Sequence, residues 1–272
     1  MLNPDRFVFT KFADGLKPIR TNESVFASLP TLGGHGPSGL KLLIGSSLTC
    51  QPTFTQHLYP VSLPSNHILP SGVINNMMAF KLLGVFILAY ALGNFSPAYL
   101  CGKLFGHFDI RERGSGNAGT TNVVRELGWR YGVLVFVLDA LKGVAAVALG
   151  NWLADNPGIA AAGFGVVIGH DFPVLLNFRG GKGVATTVGI MLSLFPVPTL
   201  IALVLLILVI TLTRMVSLGS LSFVTGMAVF SLVSDQPDAL KIMTVGIAVI
   251  AILRHRANIK RILNGTENRL SY

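Results

Sequence analysis

Three short polar segments of this 272-residue chain combine glycine with cationic and hydroxyl side chains, as phosphate-binding loops do. The first segment reads GSGNAGTTNVVR over residues 114–125. Its glycines permit tight turns that expose backbone N–H groups, and its Ser, Thr and Asn side chains add short donors, which suits phosphate oxygens. Arg125 can add a bidentate, charge-assisted contact. The alternative is an ordinary flexible loop, which need not be so rich in small donors.

The second segment contains a Gly-Gly-Lys-Gly turn at residues 180–183, immediately before an apolar run. Where such a turn enters a helix, backbone N–H groups and the positive end of the helix dipole point at one place, and Lys182 adds a charge there. A nucleotide-binding P-loop is disfavoured, because Leu176 stands where its first glycine is needed and Gly183 replaces its hydroxyl residue. The alternative is a basic turn that anchors the chain at a membrane surface. His170, upstream, is equally compatible with a structural and a functional role.

The third segment reads RHRANIKRILNGTE over residues 254–267. If the preceding helix continues through it, His255, Asn258 and Arg261 share one side of that helix. His255 titrates near neutrality and can carry a proton. The alternative is a basic tail that binds anionic lipid headgroups.

Ionisable residues also occur inside an apolar run, where they are expensive and usually face the interior of a helix bundle in pairs. Asp139 and Lys142 lie one helical turn apart, which fits either a structural ion pair or a role at the site. Ser217, Ser220 and Ser222 begin another apolar run, and they add donors to the site or serve polar helix packing.

The composition indicates that these segments belong to a membrane protein. Hydrophobic residues make up 51% of the chain and charged residues 12%, with a mean hydropathy of +0.63, whereas a soluble domain carries about 25% charged residues. The net charge of +9 does not indicate a nucleic-acid partner, because the cations lie between long apolar runs. The two cysteines, Cys50 and Cys101, have neither a metal-ligand spacing nor that of a disulfide framework.

The apolar runs predict an all-α, polytopic transmembrane bundle of about seven spans with cytoplasmic glycine-rich loops. A spanning helix needs about 20 apolar residues. The runs cover residues 80–101, 131–153, 157–176, 184–196, 197–213, 217–234 and 238–253. Pro196 and Pro198 separate two short runs and predict a tight hairpin there. Ala161, Gly165 and Gly169 recur every four residues, which allows close helix packing.

The distribution of charge predicts the orientation of the bundle. Alternate connections are basic, with Lys103, Arg111, Arg113, Arg125, Arg130, Arg179, Lys182 and Arg214, and the tail is basic too. The opposite connections carry Asp155, Asp235 and Asp238. Since basic loops stay in the cytoplasm, all three polar segments and the C-terminus are expected on the cytoplasmic side.

Two domains are expected. Residues 1–77 lack sustained periodicity and are interpreted as a disordered extension, or as the product of an upstream start codon with the real start at Met77 or Met78. A folded or targeting segment is the alternative. Residues 78–272 form the integral membrane domain.

Four motifs together resemble the bacterial acyl-phosphate:glycerol-3-phosphate acyltransferases. They are SGNAGTTN with the following Arg125, DALKG at residues 139–143, GHDFPVLLNFRGGKGVAT at residues 169–186, and RHRANIKRILNGTE at residues 254–267. The resemblance extends from about Met78 to Glu267, with the motifs in order and suitably spaced, and residues 1–76 have no counterpart in it.

The resemblance implies a seven-helix enzyme of the bacterial inner membrane with a cytoplasmic active site. Such an enzyme transfers a fatty acyl group from acyl phosphate to the sn-1 hydroxyl of glycerol 3-phosphate, giving lysophosphatidic acid and phosphate, the first acylation of phospholipid synthesis. No cofactor, metal, acyl-CoA or acyl carrier protein takes part directly. The implied partners are the two substrates, membrane lipids and a soluble or peripheral enzyme that supplies acyl phosphate.

The resemblance also implies roles for single residues. The residues that would bind phosphate are Ser115, Asn117, Thr121, Arg125 and Lys182. The acyl phosphate is cradled by Gly180, Gly181 and Gly183, and the glycerol phosphate contacts His255 and Asn258. The catalytic candidates are His255, Lys182 and Ser115, and the further substrate-binding candidates are Gly119, Asn122, Thr186 and Arg261. We expect direct attack by the glycerol hydroxyl, with His255 or a substrate phosphate as the proton acceptor and with positioning and electrostatic stabilisation as the main catalytic effects.

Two other classes of protein fit the sequence less well. A transporter for an organic phosphate would commonly show internal repeats and helices interrupted near the membrane midplane, but the sequence halves do not repeat and the polar motifs lie at a membrane edge. A membrane-bound kinase or phosphotransferase would need a metal-binding carboxylate cluster, and these loops are poor in Asp and Glu.

Overall fold

The computed structural model describes residues 71–270, and every regular element in that range is helical, as predicted. The helices are α1 (Ser71–Asn94), α2 (Pro97–Cys101), α3 (Thr120–Leu127), α4 (Trp129–Asp171), α5 (Val184–Leu194), α6 (Pro196–Thr213), α7 (Val216–Val233), α8 (Asp238–Arg254) and α9 (Arg256–Leu263). Short helical turns cover Gly102–Gly106, Ile110–Glu112 and Val174–Leu176. α1 begins before the predicted apolar run, and the interpretation of residues 1–70 lies outside the described residues.

α4 is two helices joined by a sharp reversal. Ala154 and Asp155 have non-helical backbone angles, with φ of Asp155 at 47°, and Pro157 follows. The backbones of Gly150 and Gly158 are in contact, although an unbroken helix would hold these positions about 12 Å apart. The chain therefore turns back, and the first arm (129–153) and second arm (156–171) correspond to two predicted runs.

Four helical stretches are long and apolar enough to cross a membrane among the described residues. They are Asn75–Phe105, Trp129–Leu176, Pro196–Thr213 and Val216–Val233, with a fifth if α8 and α9, bent by 60°, count as one. This count does not confirm seven spans, because both arms of α4 fall in one stretch and α5 has only 11 residues. α5 and α6 are separated by Phe195 alone, and Pro196 begins α6, where proline fits the first helical position.

Glycines bring α1 and the second arm of α4 into backbone contact. A Cβ on Gly165 would lie 2.5 Å from the carbonyl oxygen of Phe86, and one on Gly169 would collide with that of Tyr90. The close approach predicted for Gly165 and Gly169 is therefore confirmed. Gly143 of the first arm meets α5 in the same way, at Thr186.

Two apolar clusters support the bundle and the region of the polar segments. The larger one includes Val166, Ile190, Phe223 and Met243, which are buried. The smaller one consists of Ala98, Cys101, Ile110, Ala118, Val123 and Val135. It anchors the segment 110–123 against the first arm of α4, and so it positions the loop that precedes α3.

Candidate functional site

The three polar segments converge on one cavity of about 240 Å³. Eleven of the predicted site residues line it: Ser115, Asn117, Gly119, Thr121, Asn122, Arg125, Lys182, Gly183, His255, Asn258 and Arg261. The convergence itself was predicted from the orientation of the loops. The roles of the individual side chains stay predictions.

Three predicted residues do not line the cavity. The carbonyl oxygens of Gly180 and Gly181 accept hydrogen bonds from the guanidinium of Arg254, so these glycines lie behind the wall. Thr186 is fully buried in α5, and its hydroxyl has no hydrogen-bond partner among the described residues.

The first polar segment is a turn followed by a helix, where the sequence had suggested a loop throughout. Gly114 and Gly116 have φ of 56° and 70°, which glycine adopts without a steric cost. Gly119 precedes α3, and the first residues of α3, Thr120 and Thr121, line the cavity. A helix N-terminus is an anion-binding feature, and here it adjoins the predicted glycine turn.

Asn122 organises this turn. Its side-chain oxygen accepts a hydrogen bond from the backbone N–H of Ser115 at 2.8 Å, and its amide donates to the carbonyl oxygens of Ile110 at 2.9 Å and Arg113 at 3.0 Å. The polar atoms of Asn122 are therefore engaged within the loop, and the structure gives it a supporting position where the sequence had suggested substrate contact.

The second segment enters a helix as predicted. Gly183, with φ of 69°, precedes α5, and Gly183, Val184 and Ala185 line the cavity. The N-terminus of α5 thus contributes backbone donors and a partial positive charge at the cavity wall. Beside it, Nζ of Lys182 donates to the side-chain oxygen of Asn258 at 2.6 Å.

Lys182 is a buried cation with a displaced pKa. Burial, together with the positive charges of Arg261, Arg254 and Arg125, lowers its pKa to about 8, while Glu267 opposes them. A lysine in this setting is stabilised in its charged form by any anion that enters the cavity.

His255 lies at a bend and not within a continuous helix. α8 ends at Arg254 and α9 begins at Arg256, with an angle of 60° between them, so the condition of an unbroken helix is not met at this residue. His255, Asn258 and Arg261 nevertheless reach the same cavity, because α9 keeps the helical spacing after the bend.

The hydrogen bond of His255 determines its tautomer. Nδ1 lies 2.7 Å from the carbonyl oxygen of Ala251, and a carbonyl oxygen only accepts, so Nδ1 carries the proton. In the neutral ring Nε2 is then unprotonated and can accept a proton. The ring is 2% exposed and lines the cavity. Its burial lowers the pKa of His255 to about 4, so the expected titration near neutrality is wrong.

Glu267 is a central residue of the site for which the sequence analysis proposed no role. One carboxylate oxygen accepts from the Asn258 amide at 2.6 Å and the Ser217 hydroxyl at 2.8 Å, and the other accepts from Nε of Arg261 at 2.8 Å. Burial would raise the pKa of Glu267, but these hydrogen bonds bring it below its usual value. Asn258 thereby links Lys182 to Glu267, and both of its polar groups are engaged. The GxE spacing at residues 265–267 was the available signal.

A buried polar cluster forms another part of the wall. Nζ of Lys142 lies 2.9 Å from Oδ1 of Asp139 and 3.1 Å from Nδ1 of His170, and it donates to the carbonyl oxygen of Phe95 at 2.8 Å. Asp139 and His170 line the cavity. The ion pair thus exists and also borders the site, so the two interpretations of the pair are compatible.

Of the three serines, Ser217 and Ser220 line the cavity, and Ser222 donates to the carbonyl oxygen of Gly219.

The remaining wall is apolar. It is formed by Phe136 of the first arm of α4, by Leu206 and Ile210 of α6, and by Val216 of α7. The cavity is therefore amphiphilic, lined by cations and helix N-termini as well as by hydrocarbon. Such a cavity matches a ligand that joins an anionic head to an aliphatic chain.

Fold and cavity together define a class: an all-helical integral membrane protein with a cationic, amphiphilic pocket. Within that class, the model of the family described as glycerol-3-phosphate acyltransferase matches residues 83–265. The chain belongs to this family.

Individual relatives of the chain have the same description as the family. The chain is 47% identical over 187 residues to the glycerol-3-phosphate acyltransferase of Thermoanaerobacter sp. (strain X514), covering 68% of this chain and 93% of the relative. It is 44% identical over 200 residues to that of Clostridioides difficile (strain 630), covering 71% and 98%.

The fold is similar to that of a solved structure. The crystal structure of PlsY (YgiH), an integral membrane glycerol 3-phosphate acyltransferase in its glycerol 3-phosphate form, superposes with a TM-score of 0.66 at 38% identity, covering 70% of this chain and 96% of that one. Its lysophosphatidic acid form gives a TM-score of 0.65 at 35% identity, covering 70% and 95%.

Proposed function

We propose that this acyltransferase moves a fatty acyl group from acyl phosphate to the sn-1 hydroxyl of glycerol 3-phosphate, giving lysophosphatidic acid and inorganic phosphate. The observation that carries the proposal is the meeting of Arg125, Lys182 and Arg261 with an apolar wall in one cavity. Both substrates are anionic, and one has a long hydrocarbon chain. PlsY has been solved in glycerol 3-phosphate and lysophosphatidic acid forms, which supports this acceptor and this product.

In the proposed reaction the acyl donor lies with its chain along the apolar wall and its phosphate near Lys182 and the N-terminus of α5. The sn-1 oxygen of glycerol 3-phosphate attacks the acyl carbon, and a new ester C–O bond forms. The bond between the acyl carbon and the phosphate oxygen breaks, and its electron pair leaves with the phosphate. Cations that hold the phosphate stabilise the charge it gains.

The proton of the attacking hydroxyl goes to Nε2 of His255 in this proposal. Nδ1 of that ring is committed to Ala251, which leaves Nε2 as the basic nitrogen. A phosphate oxygen of a substrate is the other candidate acceptor. If His255→Ala kept near-normal turnover at saturating substrate, the phosphate would replace the histidine in this role.

We also propose seven crossings with the cavity at the cytoplasmic face of the bacterial inner membrane. The crossings are α1 with α2, the two arms of α4, α5, α6, α7 and α8. The segments that carry the basic residues of the site line one cavity. Asp155 and Asp235 lie in the alternate connections and Asp238 begins α8, which is the charge asymmetry of a positive-inside protein. A separate enzyme that supplies acyl phosphate from the cytoplasm remains a prediction.

The test is phosphate release by the detergent-purified protein supplied with palmitoyl phosphate and glycerol 3-phosphate. Release is expected with this pair, and no lysophosphatidic acid is expected when palmitoyl-CoA, whose leaving group is a thiol and not phosphate, replaces the acyl phosphate. Lys182→Ala should reduce release about 100-fold or more, because an electrostatic contact to the leaving group is lost. Turnover with acyl-CoA but none with acyl phosphate would move the chain to another acyltransferase mechanism, and full activity of Lys182→Ala would refute the site.

A further inference from the structure

The loop that carries Lys182 is held from outside the cavity by an arginine at the end of α8. Nη2 of Arg254 donates to the carbonyl oxygen of Gly181 at 2.7 Å and to that of Gly180 at 3.4 Å. Nε of the same guanidinium donates to the Gly181 oxygen at 3.1 Å. One planar side chain thus contacts two consecutive carbonyl groups, which a guanidinium does with less loss of freedom than an ammonium.

These hydrogen bonds determine which way the backbone points. The carbonyl of Gly181 and the N–H of Lys182 belong to one planar trans peptide and point in opposite directions. Arg254 holds that carbonyl, so the Lys182 N–H points away from Arg254. The N–H of Gly181 is also engaged, since it donates to the carbonyl oxygen of His170 at 3.0 Å. Two successive peptide groups are therefore fixed immediately before Lys182 and α5.

Arg254 is itself held by its neighbours. Its Nε lies 4.0 Å from Oδ2 of Asp171, and its guanidinium carbon lies 4.8 Å from the centre of the Phe172 ring. The Asp171 side chain is fully buried, and neither carboxylate oxygen accepts a hydrogen bond within the described part of the chain. The contact between the guanidinium and Asp171 is longer than a hydrogen bond, so any effect of Asp171 on Arg254 is electrostatic.

We propose that Arg254, oriented by Asp171, is a positioning residue that holds the Gly180–Lys182 loop so that Lys182 and the N-terminus of α5 meet the phosphate of the acyl donor. The proposal rests on the proposed function of Lys182. Arg254 also immediately precedes His255, so the same side chain ties the phosphate-binding loop to the bend that carries the proton acceptor.

The kinetic test compares Arg254→Met and Arg254→Lys with the wild-type enzyme. Both should raise KM for palmitoyl phosphate and lower the corresponding kcat/KM about tenfold, the loss expected for hydrogen bonds from a charged donor. KM for glycerol 3-phosphate should change less than about twofold. The lysine variant should fail to rescue, because an ammonium cannot hold both carbonyls. The matched control is Arg256→Met, since Arg256 is exposed and should leave every parameter unchanged.

Asp171→Asn tests the ionic partner without changing the size of the side chain. It should raise KM for palmitoyl phosphate. The double variant with Arg254→Met should have no higher KM than Arg254→Met alone, because the two residues act as a unit. Additive losses would remove Asp171 from the proposal. Wild-type parameters in Arg254→Lys, or equal rises in both KM values, would overturn the role of Arg254.

Amide hydrogen exchange over residues 179–184 tests the same role without turnover. Exchange should be faster in Arg254→Met than in the wild type and unchanged in Arg256→Met. Unchanged exchange in Arg254→Met overturns the proposal, whatever the activity. Failure of the proposed function would be seen separately, as absence of acyl-phosphate-dependent release by the wild-type enzyme.

Discussion

Lys182 is a cation kept partly buried among other cations. Its amine donates to Asn258, and burial together with Arg261, Arg254 and Arg125 lowers its pKa to about 8. A free lysine holds its proton to a pH near 10.4. The charge of Lys182 is therefore lost at a lower pH than usual, and a bound phosphate would restore it.

This perturbation predicts the pH dependence of the reaction. kcat/KM for palmitoyl phosphate should fall as the pH rises through about 8, because this parameter reports the free enzyme. kcat should fall only at higher pH, since the bound phosphate raises the pKa of Lys182. The control is Lys182→Arg, which stays charged and should lack the decline near pH 8 whatever its activity. An unchanged decline in Lys182→Arg would assign it to another group.

Gly181 has no room for a side chain in the loop that precedes α5. A Cβ on it would collide with the imidazole of His170, which is fixed by Asp139 and Lys142. Gly181→Ala should therefore displace the loop and lower kcat/KM about 100-fold, the cost of a misplacement near 1 Å. The control is Gly226→Ala, where no described atom lies within 4 Å of the added carbon. Normal kinetics of Gly181→Ala would mean that the loop tolerates the shift.

At the scale of single elements, the contact between α1 and the second arm of α4 depends on missing side chains. A Cβ on Gly165 would lie 2.5 Å from the carbonyl oxygen of Phe86 and 3.1 Å from Cβ of Ala89. The obstacle is mainly backbone, so relief requires the two helices to separate.

Gly165→Ala should thus destabilise the protein by about 2 kcal/mol, a typical cost of overpacking. Thermal unfolding in detergent measures this as a lower midpoint. The control is Gly84→Ala in α1, which meets no described atom within 4 Å and gains about 1 kcal/mol from the better helix propensity of alanine. Equal midpoints for the two variants would contradict the close packing.

The segment after α9 is tied to the bundle mainly through Glu267. This carboxylate joins Ser217 at the start of α7 to Asn258 and Arg261 of α9, and farther on the N–H of Leu270 donates to the carbonyl oxygen of Arg214. The tail therefore closes the site from the side of α7.

Glu267→Ala should lower both stability and activity, because three donors lose a buried acceptor at about 2 kcal/mol or more in total. Thermal unfolding and phosphate release measure the two effects. The control is Asn268→Ala, since Asn268 is exposed and adjacent. If Glu267→Ala retained both properties, the network around Asn258 would be dispensable.

For the whole molecule, the proposed orientation can be tested by accessibility labelling. Single cysteines are placed, in a background without Cys50 and Cys101, at the exposed positions Glu112, Arg179, Asn264, Asp155 and Asp235. A membrane-impermeant thiol reagent should reach the first three from the cytoplasmic side and the last two from the other side, as the charge asymmetry requires. Labelling of the first three from opposite faces would separate the polar segments and remove the proposed site.

Much of the helical framework was predictable because its signals are local. The apolar runs gave the positions of both arms of α4 and of α5 to α8 to within a few residues, since burial in lipid requires continuous hydrophobicity. The same holds for Gly165 and Gly169, whose spacing alone predicts close contact. Lys182, His255 and Asn258 were found because glycine and cations cluster in short segments.

The sequence by itself determined the helices, the polar segments and the side of the membrane on which they are expected. Only the tertiary structure decided which polar atoms remain available. Asn122 accepts a hydrogen bond within its own loop, Glu267 accepts one from Asn258 at the site, and Arg254 donates one to the carbonyl oxygen of Gly181. Two contacts of the site join residues far apart in the sequence, Ser217 with Glu267 and Arg254 with Gly181. Hydrophobic runs and turn residues report local preferences, whereas a hydrogen bond between distant residues exists only when the whole bundle has brought them together.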